Sequence, residues 1–334
     1  MNRTFLGLTL AGLAAIALGA GCAESNASTK TSTGSGSDST GEGGTSGAGG
    51  ATATGTGGGS TGTGGGSTSA GGAGTGGAGT GGAVNTGGSN PGGTPANHVV
   101  ISEVGVAPAG GEFVEIWNPT KSAVDLSNYY LSDNATYTEV VTGQPWVPPT
   151  DNVGTDFLAR FPNGTTLAPD AVIVVATDPT YKDNFGACPD FTLKGTFDGC
   201  GSPVLAMNAP SEGSIGTVAG LSNAREMVVL FRWDGDAAHL VEDVDYVTWG
   251  PDFDDNTRAD KTGKATYKAD TARASQKAAV APKATESIER CGLETGEKLS
   301  GGNGLTGHDE TSEDLAATFT VQAAPSPGAK NGCL

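Results

Sequence analysis

Short runs of β-branched and aromatic residues, separated by turn residues, set the pattern of the chain from residue 98 onward. The first three runs cover residues 98–106, 111–119 and 123–133, and Pro and Gly interrupt the chain between the first two. Apolar runs of this length that end at Pro, Gly, Asn or Asp are typical of β-strands joined by turns. The pattern therefore predicts the start of an antiparallel β domain.

The second run is apolar on both of its faces. We expect Val114, Ile116 and Trp117 to be buried, with Phe113 on the same face as Trp117. Glu115 is the exception on that face, so we expect it near a strand end or beside a polar partner.

Four later runs continue the pattern, and no long stretch has clean helical periodicity. These runs cover residues 167–176, 225–232, 239–249 and 317–321. Asp234 and Gly235 form a dipeptide that favours a hairpin turn between two of them. The alternation slips near Glu242, which suggests a β-bulge. Residues 264–282 are rich in Ala and Lys, and we predict a loop there rather than a helix.

The order and spacing of these motifs resemble the lamin tail domain family, an immunoglobulin-like β-sandwich. The residues that carry the resemblance are Ile101-Ser102-Glu103, the strand from Glu112 to Asn118, the stretch from Val124 to Asp133, Leu167-Ala168-Pro169, Val172 to Val175, Asp243 to Gly250, Ser287 to Arg290 and Pro325 to Asn331. The resemblance implies an all-β, immunoglobulin-like antiparallel β-sandwich over residues 98–334.

The chain departs from the family pattern mainly by insertion. Residues 135–163, 181–224 and 251–285 are longer than a minimal domain needs. Loops on a rigid scaffold carry recognition, so we expect a specific binding surface in these segments. A smaller departure is Asp170, which stands where the family often has Gly.

The N-terminus has the features of an export signal. Arg3 provides a positive charge, and an uncharged apolar run follows that is short for a membrane span. The run ends in Gly19-Ala20-Gly21-Cys22, which resembles a bacterial lipobox, although Leu18 lies one position further from the cysteine than usual. We predict a signal peptide over residues 1–21 and lipidation of Cys22. An ordinary secretory signal is the alternative.

Residues 22–97 are predicted to be a disordered tether. They consist mostly of Gly, Ser, Thr and Ala, and they cannot bury enough apolar surface to offset their ordering entropy. A Gly-rich coil of this length spans roughly 50 Å. We interpret it as a spacer that holds the domain away from a membrane or wall.

The acidity of the chain belongs to the predicted domain. The formal net charge is −18, and the five charged residues before His98 sum to only −1, which leaves −17 for the rest. Nucleic-acid binding requires clustered Lys and Arg, so this balance argues against a nucleic acid as partner. It fits an exported protein that stays dispersed outside the cell.

Four cysteines remain once Cys22 is set aside, which suits two disulfides in an oxidising compartment. Local pairing favours Cys188 with Cys200 and Cys291 with Cys333, although four cysteines allow three connectivities. A metal site is not indicated by these residues, because no Cys-x-x-Cys motif is present and His308 lacks a nearby partner.

The sequence contains no motif that indicates catalysis. It has three histidines, and no candidate serine nucleophile lies in a turn that would activate it. We therefore predict a non-enzymatic protein.

One acidic stretch suggests a cofactor. Asp252, Asp254 and Asn256 alternate like the first ligands of an EF-hand loop, although Thr257 and Gly263 replace the Gly and Glu of that motif. The stretch is either a weak calcium site or a solvated acidic loop.

Three hypotheses about function remain open. The first is a lipoprotein of the bacterial cell envelope, at the outer membrane or cell surface, that displays the domain to bind an envelope protein or polysaccharide. The second is a secreted hydrolase or its accessory domain, although we expect no second domain that would carry the activity. The third is a purely structural envelope or matrix protein.

Overall fold

The computed structural model describes residues 96–106, 111–149, 154–251 and 257–334. Most of its regular structure is β-strand in antiparallel sheets, and its helices are short. The predicted immunoglobulin-like β-sandwich is confirmed. Within the described ranges, every helix is too short or too polar to cross a membrane.

Thirteen strands and two α-helices follow one another along the described residues. The strands are β1 Val100–Gly105, β2 Phe113–Trp117, β3 Val124–Asp125, β4 Tyr129–Ser132, β5 Leu158–Arg160, β6 Thr166–Leu167, β7 Val172–Ala176, β8 Phe191–Thr192, β9 Leu205–Ala206, β10 Glu226–Arg232, β11 Glu242–Trp249, β12 Ser287–Arg290 and β13 Phe319–Gln322. The α-helices are α1 Thr180–Phe185 and α2 Leu315–Thr318, and short 3-10 helices cover Tyr137–Thr142, Arg273–Ser275, Leu305–Gly307 and Glu310–Ser312.

The larger sheet has seven strands in the order β13-β12-β1-β2-β7-β8-β9. Its central strands pair antiparallel, with Val104 opposite Val114 and Ile116 opposite Ile173. β8 and β9 pair in parallel at one edge. Both of these strands come from the second insertion, so this insertion extends the sheet instead of forming only a loop.

The second sheet has four strands in the order β11-β10-β4-β5. Asp234 and Gly235 follow β10 in the connection to β11, and Gly235 has a φ of +89°, a conformation that glycine adopts without steric cost. The bulge expected near Glu242 lies two residues further on. Leu230 pairs with Asp245 and Phe231 with Asp243, so Val244 is the extra residue.

The main core lies between the two sheets and contains Val114 and Ile116 of β2. The opposite face of β2 is also buried. Phe113 packs edge-on against Tyr181 of α1, with ring centroids 5.8 Å apart, and Trp117 packs with Val100. The prediction of two apolar faces on this strand is therefore confirmed.

Glu115 lies on that same face, and it has the expected polar partners. Its carboxylate accepts hydrogen bonds from the Ser102 hydroxyl at 2.6 Å and from the Gly328 amide at 2.7 Å. Glu103 on β1 accepts a bond from the Ser326 amide at 3.0 Å in the same way. The two carboxylates thus attach the C-terminal segment to the sheet.

Several strand boundaries differ from those predicted. His98 and His239 both precede their strands, which begin at Val100 and Glu242. The short strands β5, β8 and β9 were not predicted, because two or three residues carry no periodicity of their own. Residues 264–282 form a loop that contains one 3-10 helix, as expected.

Asp170 explains one departure from the family pattern. Its φ is +58°, the left-handed conformation in which glycine is usual. Its carboxylate accepts hydrogen bonds from the Trp117 indole at 3.2 Å and from Lys330 at 2.9 Å. The aspartate therefore fills the position of a glycine and adds a contact with the C-terminal segment.

Candidate functional site

The predicted site residues fall into two groups. Cys22 and the predicted calcium ligands Asp252, Asp254 and Asn256 lie outside the described residues, so lipidation and calcium binding stay predictions. The other group is the cysteines. The structure contains the disulfides Cys188–Cys200 and Cys291–Cys333, with Cα atoms 5.9 and 5.0 Å apart.

The first disulfide closes a 12-residue separation within the second insertion, and the second ties the end of β12 to the C-terminus across 42 residues. Both therefore join segments that lie outside the central strands.

A cleft with a volume of about 750 Å³ lies at the β10–β11 turn. We call it the hairpin cleft. Its walls come from the hairpin, from the third insertion and from a glycine-rich segment that follows β12. The side chains that give it chemical character are Asn128, Arg232, Trp233, Asp234, His239, Leu240, Glu242, Tyr267, Lys268 and Asn303.

Hydrogen bonds hold the walls of the hairpin cleft together. The Trp233 amide donates to the Asn128 carbonyl at 3.0 Å, which fixes the start of the turn. Asn303 exchanges two bonds of 2.8 Å with the backbone of Lys268. Tyr267 accepts a bond from the Val241 amide at 3.2 Å. These bonds hold the third insertion against the hairpin and against the glycine-rich segment that follows β12.

We call the glycine-rich segment that follows β12 the glycine-rich wall. It requires glycine because two of its backbone segments approach each other closely. The Gly302 amide donates to the Gly307 carbonyl and the Gly304 amide to the His308 carbonyl, both at 2.9 Å. A Cβ atom on Gly302 would overlap the His308 carbonyl. The wall therefore depends on the position of His308.

Charged pairs lie at the rim of the hairpin cleft. Arg232 donates from its guanidinium to Glu242, with Nε–Oε2 at 3.0 Å. His239 Nδ1 lies 2.6 Å from Asp234 Oδ2 on the exposed turn. The hydrogen bond and charge of Asp234 raise the pKa of His239 above its ordinary value. Polar and aromatic groups thus face the same open volume.

A buried charge network attaches the third insertion to β11. Lys261 Nζ lies 2.5 Å from Asp243 Oδ2 and 3.1 Å from Asp270 Oδ2, and Tyr137 donates to Asp243 at 2.6 Å. Burial opposes the charge of Lys261 most strongly. Asp243 and Asp270 together outweigh that effect and raise the pKa of the lysine.

A second buried network surrounds Arg290 of β12. Its guanidinium donates to Asp245 at 2.7 Å, to Glu313 at 2.9 Å and to the Ile101 carbonyl at 2.8 Å. These bonds join both sheets to the segment just before α2, which contains Glu313. The charge of the guanidinium is therefore paired with Asp245 and Glu313.

A third group, which we call the histidine–glutamate cluster, contains His98, Glu294, Glu297, His308 and Glu310. Three potential metal-ligand atoms lie within 4.8 Å of one another, and they are a carboxylate oxygen of Glu294, a carboxylate oxygen of Glu297 and a ring nitrogen of His308. His308 Nδ1 is 3.2 Å from Glu297 Oε1, and His98 Nδ1 is 3.5 Å from Glu294 Oε1. The expectation that His308 lacks a nearby partner is therefore wrong.

The cluster could not be predicted from the sequence, because its members come from distant parts of the chain. His98 precedes β1, Glu294 and Glu297 follow β12, and His308 and Glu310 lie beyond the glycine-rich wall. The only local signal is the pair of glutamates three residues apart, and an acidic chain contains many such pairs. The fold is needed to bring the histidines to them.

Burial perturbs the titration of the cluster. Burial, followed by the charges of Arg290 and His308, lowers the pKa of His98 to about 3. Burial, followed by the charges of Asp245 and Glu313, raises the pKa of Glu294 to about 7. Burial and the charge of Glu294 raise the pKa of Glu297 to about 8. Burial therefore favours the neutral forms of these three side chains.

Part of the chain is similar to a known domain family. Residues 93–251 match the family model of the Lamin Tail Domain. The match confirms the resemblance inferred from the strand motifs, and it ends before β12, the glycine-rich wall and most of the histidine–glutamate cluster. A search of curated proteins finds no match.

Among solved structures, one similar chain is a DUF4876 family protein from Bacteroides thetaiotaomicron VPI-5482. The two chains are 14% identical, the alignment covers 71% of this chain and 75% of that one, and the TM-score is 0.39.

Proposed function

Because residues 93–251 carry a lamin tail domain, we propose that this protein is a lipid-anchored protein of the bacterial cell envelope that displays the domain as a binding module. The lamin tail domain is immunoglobulin-like and generally non-catalytic. The proposal places the anchor at Cys22, the tether over residues 22–97 and the binding module beyond it. Its location would be the outer membrane or the cell surface.

The observation that carries a binding role is the hairpin cleft. Trp233 and Tyr267 offer aromatic faces with polar edges, and Leu240 adds an exposed apolar contact. Asn128, Asn303 and the rim charges supply hydrogen-bonding groups around them. A few polar groups placed around apolar surface are the usual composition of a ligand site.

This composition favours a polysaccharide over a protein as the ligand. Sugar rings present apolar faces that pack on aromatic side chains and hydroxyls that hydrogen-bond to amides and carboxylates. The lining of the hairpin cleft has both kinds of group. A folded protein partner would instead be expected to cover a wider surface, about 800 Å² on each partner.

A binding experiment tests this proposal. The full-length chain is incubated with envelope polysaccharide and, separately, with envelope protein extract, and retention is measured. Trp233→Ala should reduce retention on polysaccharide at least tenfold, while Leu205→Ala, an exposed residue on the other sheet, should leave it unchanged. Equal retention of both variants, or retention on protein extract alone, would contradict the polysaccharide assignment.

The anchor has its own test. Cys22→Ser should leave the protein without lipid and move it from the membrane fraction to the released fraction. Mass spectrometry of the wild-type protein should show the added mass of acyl chains on Cys22. Unchanged fractionation and an unmodified mass would exclude lipidation, and binding at the hairpin cleft could still hold.

A further inference from the structure

We propose that Glu294, Glu297 and His308 bind one divalent transition-metal ion, and that the ion fixes the glycine-rich wall of the hairpin cleft. Ligand atoms of these three residues already lie within 4.8 Å of one another. Around Zn²⁺, ligand atoms bonded at about 2.0–2.2 Å lie roughly 3–4 Å apart, so small side-chain movements would complete the coordination.

Unsatisfied polar atoms point to a missing partner in this cluster. Glu297 has a side chain that is only 1% exposed, and among the described residues the only hydrogen bond within reach of its carboxylate is one that a protonated Glu310 would donate. One oxygen each on Glu294 and Glu310 has no hydrogen-bond partner there, and His308 Nδ1, which lies 3.2 Å from Glu297 Oε1, makes no hydrogen bond either. Buried polar atoms are rarely left unpaired, and each one costs free energy.

The nearby lysine and arginine side chains are paired with carboxylates other than Glu294 and Glu297. Arg290 is bound to Asp245 and Glu313, and Lys298 is bound to Asp309. Among the ion pairs of the described residues, none joins a lysine or arginine to Glu294 or Glu297. A divalent cation would supply the charge that the protein does not, since buried charges are otherwise paired.

The ligand atoms select the class of metal. Ca²⁺ and Mg²⁺ take oxygen ligands, whereas an imidazole nitrogen with carboxylates suits Zn²⁺ and its first-row neighbours. Affinity across that row favours Zn²⁺ over Mn²⁺ and Fe²⁺. Glu310, which lies beside Glu297, offers a further carboxylate, and His98 Nδ1 lies close enough to Glu294 to orient it.

The ligands lie on both sides of the glycine-rich wall. Glu294 and Glu297 precede Gly302 and Gly304, and His308 follows them, while the His308 carbonyl accepts the Gly304 amide. An ion held by all three residues would close this loop and fix His308. Metal binding would therefore order the wall that Gly302, Asn303 and Gly304 present to the cleft.

Metal titration of the full-length chain tests the site. After treatment with a chelator, the protein should bind one Zn²⁺, measured by competition with a chromophoric chelator. Co²⁺ should give the visible absorption of nitrogen and oxygen coordination. Glu297→Gln and His308→Gln should each weaken Zn²⁺ binding by at least about 100-fold, because removing an outer-shell partner alone costs 10–100-fold.

Two control variants separate this site from other sites. His239→Gln removes an exposed histidine that lies beside Asp234 and could bind Zn²⁺ adventitiously. Asp254→Asn alters the predicted calcium loop. Both should retain wild-type Zn²⁺ affinity. Absence of Zn²⁺ binding by the wild type, or unchanged affinity in Glu297→Gln and His308→Gln, would overturn the proposal.

Thermal unfolding distinguishes a ligand from a structural residue. Without metal, Glu297→Gln should leave the melting temperature close to that of the wild type, because the amide has nearly the same size and shape as the buried carboxyl group. With Zn²⁺, only the wild type should gain stability, since only it retains the site. A melting temperature that is lower than wild type under both conditions would show a purely structural role for Glu297 and would contradict the proposal.

Discussion

At the scale of single residues, two fully buried cations organise the polar interior. Lys261 and Arg290 are 1% and 0% exposed, and each is bound to two carboxylates from different segments of the chain. Desolvating such groups costs several kcal/mol per ion, so the pairs specify where the segments meet more than they add stability. Removing one partner, however, leaves a buried charge unpaired.

Replacing Lys261 with methionine should therefore destabilise the domain strongly. The change preserves much of the side-chain volume but leaves Asp243 and Asp270 without their cation, at a cost of ~3–5 kcal/mol in the free energy of unfolding. Urea unfolding at neutral pH measures this. Lys277→Met is the matched control, because Lys277 is 64% exposed and its bond to Asp314 should be worth under ~1 kcal/mol. Similar losses in both variants would contradict the argument.

At the scale of elements, strands with strong patterns could be predicted and short ones could not. The longer strands contain enough β-branched residues to be predicted from the sequence, and these strands are β1, β2, β7, β10 and β11. β8 and β9 have two residues each, and their conformation depends on neighbours in the sheet. The bulge at Val244 was predicted within two residues, because an extra residue always disturbs the alternation.

The candidate surfaces could be predicted only in part. The third insertion contributes Tyr267 and Lys268 to the hairpin cleft, and whether the insertions form a binding surface stays a prediction. The rest of the cleft comes from the β10–β11 turn and from the glycine-rich wall. The histidine–glutamate cluster unites His98 with residues about two hundred positions later, a proximity that only the paired sheets create.

β2 provides the clearest test of the core. Ile116 is fully buried, pairs with Ile101 and Ile173 on the two flanking strands, and belongs to the main core. Ile116→Ala should cost ~2–5 kcal/mol, because a cavity remains after the side chain is removed. Val218→Ala, at a position that is 70% exposed, should change stability by under ~0.5 kcal/mol. Denaturant unfolding of both variants measures the difference, and equal values would contradict the packing described for this strand.

At the scale of the whole molecule, an acidic chain buries several of its carboxylates. The net charge is −18 and the isoelectric point is about 4.4. Glu103 and Glu115 lie inside the larger sheet and receive the amides of Ser326 and Gly328. The C-terminal segment is therefore held to the sheet by carboxyl groups whose ionisation is opposed by burial.

This burial predicts that stability falls as the pH rises above 5. Burial is the main cause that raises the pKa of Glu115 from 4.5 to about 7, so the folded protein binds a proton in this range that the unfolded chain releases. The contribution of Glu115 is full below its unfolded pKa and is lost as the pH rises through 7. At about 1.4 kcal/mol per unit of pKa, the loss should be ~1–3 kcal/mol between pH 5 and pH 8.

Urea unfolding at four pH values between 5 and 8, in the presence of a chelator, measures this slope. Glu115→Gln should flatten it by that amount, because the amide oxygen can accept the Gly328 amide and its nitrogen can donate to the Ser102 hydroxyl without titrating. Glu139→Gln, at an exposed position, should leave the wild-type slope unchanged. If Glu115→Gln keeps the full slope, other buried carboxylates control the pH dependence and Glu115 is ionised in the folded protein at pH 5.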